Sequence, residues 1–511
     1  MDAANLKTLA EQMNLPIIEL DQTAVDLDAV ALIPQSLAQK GGLLAVGLEG
    51  QELVLVTDNP LNYFIFEEVR QLTGREISIR LSETEPLHRC IAYSYAEVSA
   101  RKAAQSANRD FAAPAKSAVE ESESGDREAP IIKLLNSLID RAISTRSSDI
   151  HIEPYETETS VRMRIDGVIV DYVTLRPALH QPLIARIKIM ANLDIAERRL
   201  PQDGHFRLRA GEKPINVRVS ILPTVFGEKA VLRLLASSGQ VEDHMDRFGM
   251  SETVYARFLP MLSAPNGMIY ITGPTGSGKS TTLYMILEYL ARRQVNISTI
   301  EDPVEMHIKR VNQTQVNAAA GLTFESGLRA LLRQDPDIIM VGETRDGETA
   351  SIAVRAAITG HMVLSTLHTN NALSSIVRLT DMGVEPYLLA NSLVGLVAQR
   401  LLRKVCPECA AEEPATPEEQ AFLGMEIAAI RRGRGCRHCS NTGYRGRIAI
   451  HEIVSIDRQL RRMIASGADA EAMESYARTA QGMRSLKEQG ADLVRRGITT
   501  PEELLRIASY E

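Results

Sequence analysis

Apolar and polar positions change their spacing several times along this chain, and each change marks a different element. Near the N-terminus, LLAVGLEGQELVLVTDNP sets two apolar runs on either side of Gly and charge, which predicts a β-hairpin closed by a turn. With the short helical patterns around it, the stretch 1–98 reads as a small α/β module. From Pro130, IIKLLNSLIDRAI spaces its apolar residues as a helix does. IHIEPYETETSVRMRIDGVIVDYV then alternates like strands, with Asp166-Gly167 as a hairpin turn. A second mixed domain is predicted over 130–240. Beyond it, apolar strands such as MIYIT and DIIMV alternate with helical stretches, the pattern of a parallel sheet covered by helices, over 241–511. Between the first two regions, SARKAAQSANRDFAAPAKSAVEESESGDREA is rich in Ala, Ser and charge and poor in large apolar residues. Such a stretch cannot offset its ordering entropy by burial, and 99–129 is expected to be a flexible linker. No repeat of fixed period is present.

Composition narrows the partners. The 511 residues are 44% hydrophobic, more than one core usually organises, so two to four domains are expected. A net charge of -8, 4% aromatic residues and no Trp offer neither the basic field nor the stacking surface of most nucleic-acid binders. No stretch approaches a spanning helix and MDAANLKTLAEQMNLPIIEL lacks a signal pattern, so a cytoplasmic protein is expected.

The sharpest chemical signal is Gly273-Pro274-Thr275-Gly276-Ser277-Gly278-Lys279-Ser280, a GxxxxGKS run between the strand MIYIT and the helical TTLYMILEYL. Glycines let backbone N–H groups converge on a phosphate without a Cβ in the way. Lys279 is expected to reach the β- and γ-phosphates of ATP, and Ser280 to ligate Mg²⁺. The predicted strands NISTI and DIIMV lead into Glu301-Asp302-Pro303-Val304-Glu305 and Gly342-Glu343, placing acids at strand C-termini. Hydrolysis needs one carboxylate to polarise the attacking water and another to hold hydrated Mg²⁺; Glu301 and Glu343 are the respective candidates. His361 and His368 bracket the strand MVLST. Histidines are often satisfied core or surface residues, so spacing alone leaves a γ-phosphate-sensing role open.

Cys406-Pro-Glu-Cys409 and Cys436-Arg-His-Cys439 are two CxxC knuckles separated by 26 residues, a ligand set for structural Zn²⁺. Four thiolates leave no open position, so the metal should fold a local loop within about 400–445. His438 or His451 could substitute as a ligand, and a redox role fits two knuckles poorly. Cys90 stands alone, and disulfides are not expected.

These residues, with SSDIHIEP, RLPQDG, FGEKAVLRLL, STIEDPVE, LRQDPDIIMVGETRDGETA and TGHMVLSTLHTN, resemble the type II secretion ATPases and type IV pilus assembly (extension) ATPases over about 130–510. The resemblance implies an α/β fold: a RecA-like P-loop nucleotide-binding core, preceded by a PAS-like α/β domain and a small N-terminal α/β module, with a zinc-binding insertion. It implies that Gly273 to Ser280 and Thr281 bind ATP, that Glu301, Glu343, His361 and His368 are functional, and that the cysteines bind zinc. It further implies a ring homohexamer in which the preceding domain contributes arginines; Arg218 and Arg233 match by position, with Arg207 and Arg209 behind them. Family members are recruited to the inner membrane through platform proteins docked on the N-terminal module, and ATP turnover is coupled to insertion of pilin-like subunits. The RLG-and-Leu repeat by which some relatives bind a cyclic dinucleotide is not found, and that ligand is not expected. RLPQDG and the compact N-terminal module resemble type II secretion, FGEK the pilus extension enzyme; the first is favoured. The competing classes are a nucleic-acid motor and a nucleotide-binding regulator that does not hydrolyse.

Overall fold

The computed structural model describes residues 3–20, 23, 25–110, 125–210, 213–236 and 248–508. They fall into two compact units, Met1–Ser237 with Arg434–Gly443 and Ser238–Gly433 with Tyr444–Glu511.

In the first unit, β1 (Leu43–Glu49) and β2 (Glu52–Thr57) form the antiparallel hairpin, and β3 (Ile77–Leu81) joins β2 in parallel after the crossover helix Tyr63–Thr73. Cys90 lies buried in this module's core beside Leu87 and Ile91. The expected linker departs from the sequence reading. Residues 99–110 continue the helix Thr84–Asp110, and 125–129 open the helix Gly125–Ser144. Ala, Arg, Lys and Gln are strong helix formers, so a stretch too polar to make a core can still extend a helix that is anchored elsewhere. Residues 111–124 lie outside the described residues, as does the domain boundary expected near 240.

The second part of this unit is a six-stranded antiparallel sheet, ordered β6-β5-β4-β9-β8-β7. Its strands are β4 (Ser147–Pro154), β5 (Thr159–Ile165), β6 (Val168–Leu175), β7 (Gln202–Ala210), β8 (Lys213–Thr224) and β9 (Gly227–Ala236). Asp166 and Gly167 close β5 onto β6 with φ of 48° and 88°, the paired positive angles of a tight hairpin turn. Alternation separates the faces. Ile150, Ile152, Val161, Val217, Val219 and Leu232 are buried with Leu134, Leu138 and Leu183 from the two helices, Gly125–Ser144 and His180–Met190. The intervening positions carry charge: Glu153 pairs with Arg162 and Lys229, and Asp149 with Arg164 and Arg233.

The second unit is built on a seven-stranded sheet of order β12-β11-β13-β14-β10-β15-β18. β10 (Gly267–Thr272), β11 (Ile297–Glu301), β12 (Asn312–Gln315), β13 (Ile338–Val341), β14 (Met362–Leu367) and β15 (Leu393–Val405) run parallel, and β18 (Tyr444–Ser455) closes the edge antiparallel to β15. Both faces are covered. Met268 and Tyr270 of β10 enter one core with the helices Gly347–Ile358 and Pro386–Ser392, while Ile269 and Ile271 enter the other with the helix Lys279–Leu290. Such burial on both faces explains why MIYIT reads as an unbroken apolar run. A separate two-stranded ribbon, β16 (Ala410–Pro414) and β17 (Ala429–Gly433), follows the first cysteine knuckle. Among the described residues, no helix is long and apolar enough to cross a membrane.

Candidate active site and metal centre

β10, β11, β13 and β14 are parallel neighbours, so their C-terminal ends open on one rim of the sheet. From β10 the chain enters the phosphate loop and then the helix Lys279–Leu290, whose N-terminus faces that rim. Gly273 and Gly278 have φ of 149° and 88°, which side-chain-bearing residues rarely adopt. Lys279 is buried, and its Nζ donates to the carbonyls of Gly273 (2.7 Å) and Pro274 (3.0 Å). Burial pushes this amine down to about 8; nearby Glu343 opposes the shift and Arg400 adds to it.

β11 delivers Glu301, 3% exposed, to the same rim. Oε2 accepts from the Tyr284 hydroxyl (2.5 Å), and Oε1 accepts from Thr299 (2.5 Å) and from the Gln313 amide (3.1 Å). The Tyr284 oxygen also accepts the backbone N–H of Glu305 (3.0 Å), so one phenol joins the phosphate helix to both ends of the acidic segment. Burial and the Glu301 carboxylate push that phenol far up, and it stays a donor.

β13 delivers Glu343, which forms an ion pair with Arg345 and lies 3.6 Å from Nε2 of His368. Burial first, then Lys279, hold the His368 imidazole below its ordinary value despite Glu343. A neutral ring at this rim can accept a proton or donate to an anionic oxygen.

His361 and His368 bracket β14, with His368 at its C-terminal edge, as the sequence reading has them. His361 precedes β14 whereas His368 follows it, so the two are separated by about 23 Å, seven steps of roughly 3.3 Å along the strand. Its Nδ1 meets the Ala356 carbonyl at 3.0 Å, and its own carbonyl accepts from Gly267 at the start of β10. The structure does not bring His361 to the phosphate loop of its own chain.

Arg218 and Arg233 belong to the first unit, where they are exposed cross-strand neighbours on β8 and β9. Nε of Arg233 donates to Asp149 at 2.7 Å. Arg207, on β7, donates to Asn216 instead.

The four cysteines converge. The Sγ atoms of Cys406, Cys409, Cys436 and Cys439 all lie within 4.8 Å of one another, and those of Cys436 and Cys439 are 3.7 Å apart. A tetrahedron with metal–sulfur bonds of about 2.3 Å has edges of about 3.8 Å, so the donor set fits Zn²⁺. Backbone N–H groups of Cys436 (3.1 Å) and Gly443 (3.2 Å) point at Cys439 Sγ, as a thiolate ligand requires. His451 is fully buried on β18, and burial pushes its imidazole down to about 3.

Sequence reasoning missed Tyr284, Gln313, Gln399 and Arg345. Gln313 and Gln399 carry no local signal, because each reaches the site through strand pairing that is distant in sequence. Tyr284 could have been found: it lies five residues past Lys279 on one helix, and a phenol there needs a polar partner.

A phosphate loop, two strand-end acids and a histidine on the rim of one parallel sheet define a P-loop ATPase. This chain belongs to the family described as "Type II/IV secretion system protein", whose match covers residues 124–506, and residues 13–100 match the "MshEN domain". It is 42% identical to the type II secretion system protein E of Pseudomonas aeruginosa over 489 residues, 94% of this chain and 96% of that protein. It is equally 42% identical to the type IV pilus assembly ATPase PilB of Thermus thermophilus over 511 residues, 98% of this chain but 57% of that longer protein. Among solved structures, the ATPase DotB of Legionella pneumophila shares the fold over 73% of this chain and 95% of its own, with a TM-score of 0.54 at 20% identity.

Proposed function

We propose that this chain is the motor ATPase of a type II protein secretion machine, hydrolysing ATP as a homohexamer at the cytoplasmic face of the inner membrane. The convergence of Lys279, Glu301, Glu343 and His368 on one sheet rim carries the reading. Equal identity to a type II secretion protein and a pilus assembly ATPase supports extension of a type IV pilus as the second reading.

ATP would lie with its phosphates over Gly273 to Thr281, where backbone N–H groups and the helix N-terminus face the anion. Lys279 must leave the carbonyls of Gly273 and Pro274 to reach the phosphates, exchanging two neutral acceptors for charged ones. Mg²⁺, held by Ser280 and Glu343, would neutralise charge on the phosphate oxygens. Glu301 polarises the attacking water and His368 senses the γ-phosphate. A second reading exchanges the two acids, since Glu301 already accepts from three donors while Glu343 faces Lys279 and His368. Arg218 and Arg233, on the polar face of their sheet, stabilise phosphoryl charge in a neighbouring subunit's site. Closure and reopening of the rings' subunits would move platform proteins at the membrane. Zn²⁺ on the four cysteines has a structural role.

The test is ATPase rate per subunit against protein concentration, for the wild type, Glu301→Gln and Glu343→Gln. A rate that climbs with concentration supports the oligomeric site. The acid whose loss abolishes turnover while ATP still binds is the water-polarising group. A rate independent of concentration removes the inter-subunit arginines from the mechanism. Restoration of enzyme secretion, rather than pilus extension, in a strain lacking its own motor separates the two readings.

A further inference from the structure

β15 lies beside β10 and supplies the phosphate loop with a side chain from 120 residues further along the chain, roughly. Gln399 is 1% exposed, and both ends of its amide are engaged. Nε2 donates to the Ser277 carbonyl (2.9 Å) and Oε1 accepts from the Thr282 hydroxyl (3.0 Å). These partners flank Lys279, one in the loop and one in the first turn of its helix. The fit is close. A Cβ on Gly278 would stand 2.8 Å from Gln399 Nε2, and one on Gly273 would stand 2.5 Å from the Gln399 carbonyl oxygen. The next residue, Arg400, is 5% exposed and donates through Nη2 to the carbonyl (3.1 Å) and side-chain oxygen (3.4 Å) of Asn370, two residues beyond His368. Consecutive residues of one strand therefore hold the loop that carries Lys279 and the segment that carries His368.

We propose that Gln399 is a positioning residue for nucleotide binding: its amide fixes the curvature of the phosphate loop between Ser277 and Thr282, while Arg400 sets the His368 segment against it. The proposal rests on the reading that this loop binds nucleotide. A loop of convergent N–H groups repels its own dipoles when empty, and a strap that meets one carbonyl and one hydroxyl holds it open for phosphate. Glutamine suits the position because one planar group supplies a donor and an acceptor at fixed separation. Glutamate would keep the bond from Thr282 and set a second acceptor against the Ser277 carbonyl.

The experiment measures Mg-ADP affinity by calorimetry, steady-state KM and kcat for ATP, and the denaturation midpoint, on the full chain. The variants are Gln399→Leu, Gln399→Glu and Thr282→Val. Loss of the strap weakens Mg-ADP binding by about tenfold in Gln399→Leu and by more in Gln399→Glu, with KM rising further than kcat falls. Thr282→Val, which removes one hydroxyl and no volume, weakens binding about threefold and decides the matter if the glutamine variants do not fold. A structural role alone lowers the midpoint and leaves affinity unchanged. Wild-type affinity in folded Gln399→Leu or Thr282→Val overturns the proposal while leaving the nucleotide reading intact. A wild-type chain that binds no Mg-ADP overturns both.

Discussion

Replacing Tyr284 by Phe removes one oxygen and no packing volume, yet that oxygen bridges Glu301 and the backbone of Glu305. Tyr284 is 6% exposed, so the bond to the Glu301 carboxylate is shielded from water. A hydrogen bond to a charged group contributes about 1.5–3 kcal/mol. The Glu305 N–H loses an acceptor as well, but Glu305 is exposed and water can replace it, so that loss adds little. The total is about 2–3 kcal/mol. Thr299 and Gln313 continue to hold Oε1, and Glu301 is therefore loosened rather than released. Since about 1.4 kcal/mol is a factor of ten, kcat should fall between about tenfold and a hundredfold if the bond is fully expressed in positioning Glu301. KM for ATP should hold, because the phenol's hydrogen bonds go to Glu301 and Glu305 and not to the phosphate loop. Steady-state phosphate release at saturating Mg-ATP, with a urea unfolding curve on the same preparation, reads both effects. Wild-type kcat together with a wild-type unfolding midpoint would refute this account of how Glu301 is held.

Acid should weaken the fold through His451, whose Nε2 is buried without a hydrogen bond. Its pKa of about 3 in the fold lies below the unfolded value of about 6.5, so the unfolded chain binds the extra proton between these limits. Stability is complete above about pH 6.5 and falls by about 2 kcal/mol at pH 5; His451→Leu should lose correspondingly less over that interval, and an equal loss would exclude the histidine as the cause. Glu503 is 2% exposed and accepts from Arg403 at 2.6 Å and Arg506 at 3.1 Å, so Glu503→Ala should cost about 3–5 kcal/mol of unfolding free energy, and a change under about 1 kcal/mol would contradict a buried pair. The four-cysteine cluster should yield one zinc ion per chain to a colorimetric chelator after denaturation, and Cys406→Ser should reduce the zinc content and lower the thermal midpoint; a metal-free native chain would contradict the assignment.

Much of the site was legible because its residues are contiguous with apolar strands. MIYIT, NISTI, DIIMV and MVLST each lead into a candidate site residue, and parallel strands carry such residues to one rim whatever the sheet order. His361 shows the limit of that logic: a residue before a strand and a residue after it share the strand but not the rim. Gln399 shows another, since nothing in AQRLL distinguishes a side chain under the phosphate loop from one facing a helix until the pairing of β15 with β10 is known. The segment 99–110 failed for a different reason. Low apolar content argues against a core, but the helix Thr84–Asp110 is anchored by buried Leu87, Ile91, Tyr95 and Val98 in its first half, and helix-forming residues extend it. The cysteine knuckles were readable outright, because ligand spacing is itself the chemistry.

The central claim is that the rim at Lys279 hydrolyses ATP. Phosphate release from Mg-ATP by the purified chain and by Lys279→Ala, at matched protein concentration, tests it most directly. The account predicts turnover by the wild type and a loss of about a hundredfold or more in the variant, since the lysine supplies the charge that meets the β- and γ-phosphates. Equal rates in the two proteins, or no release by the wild type at any concentration, would contradict it.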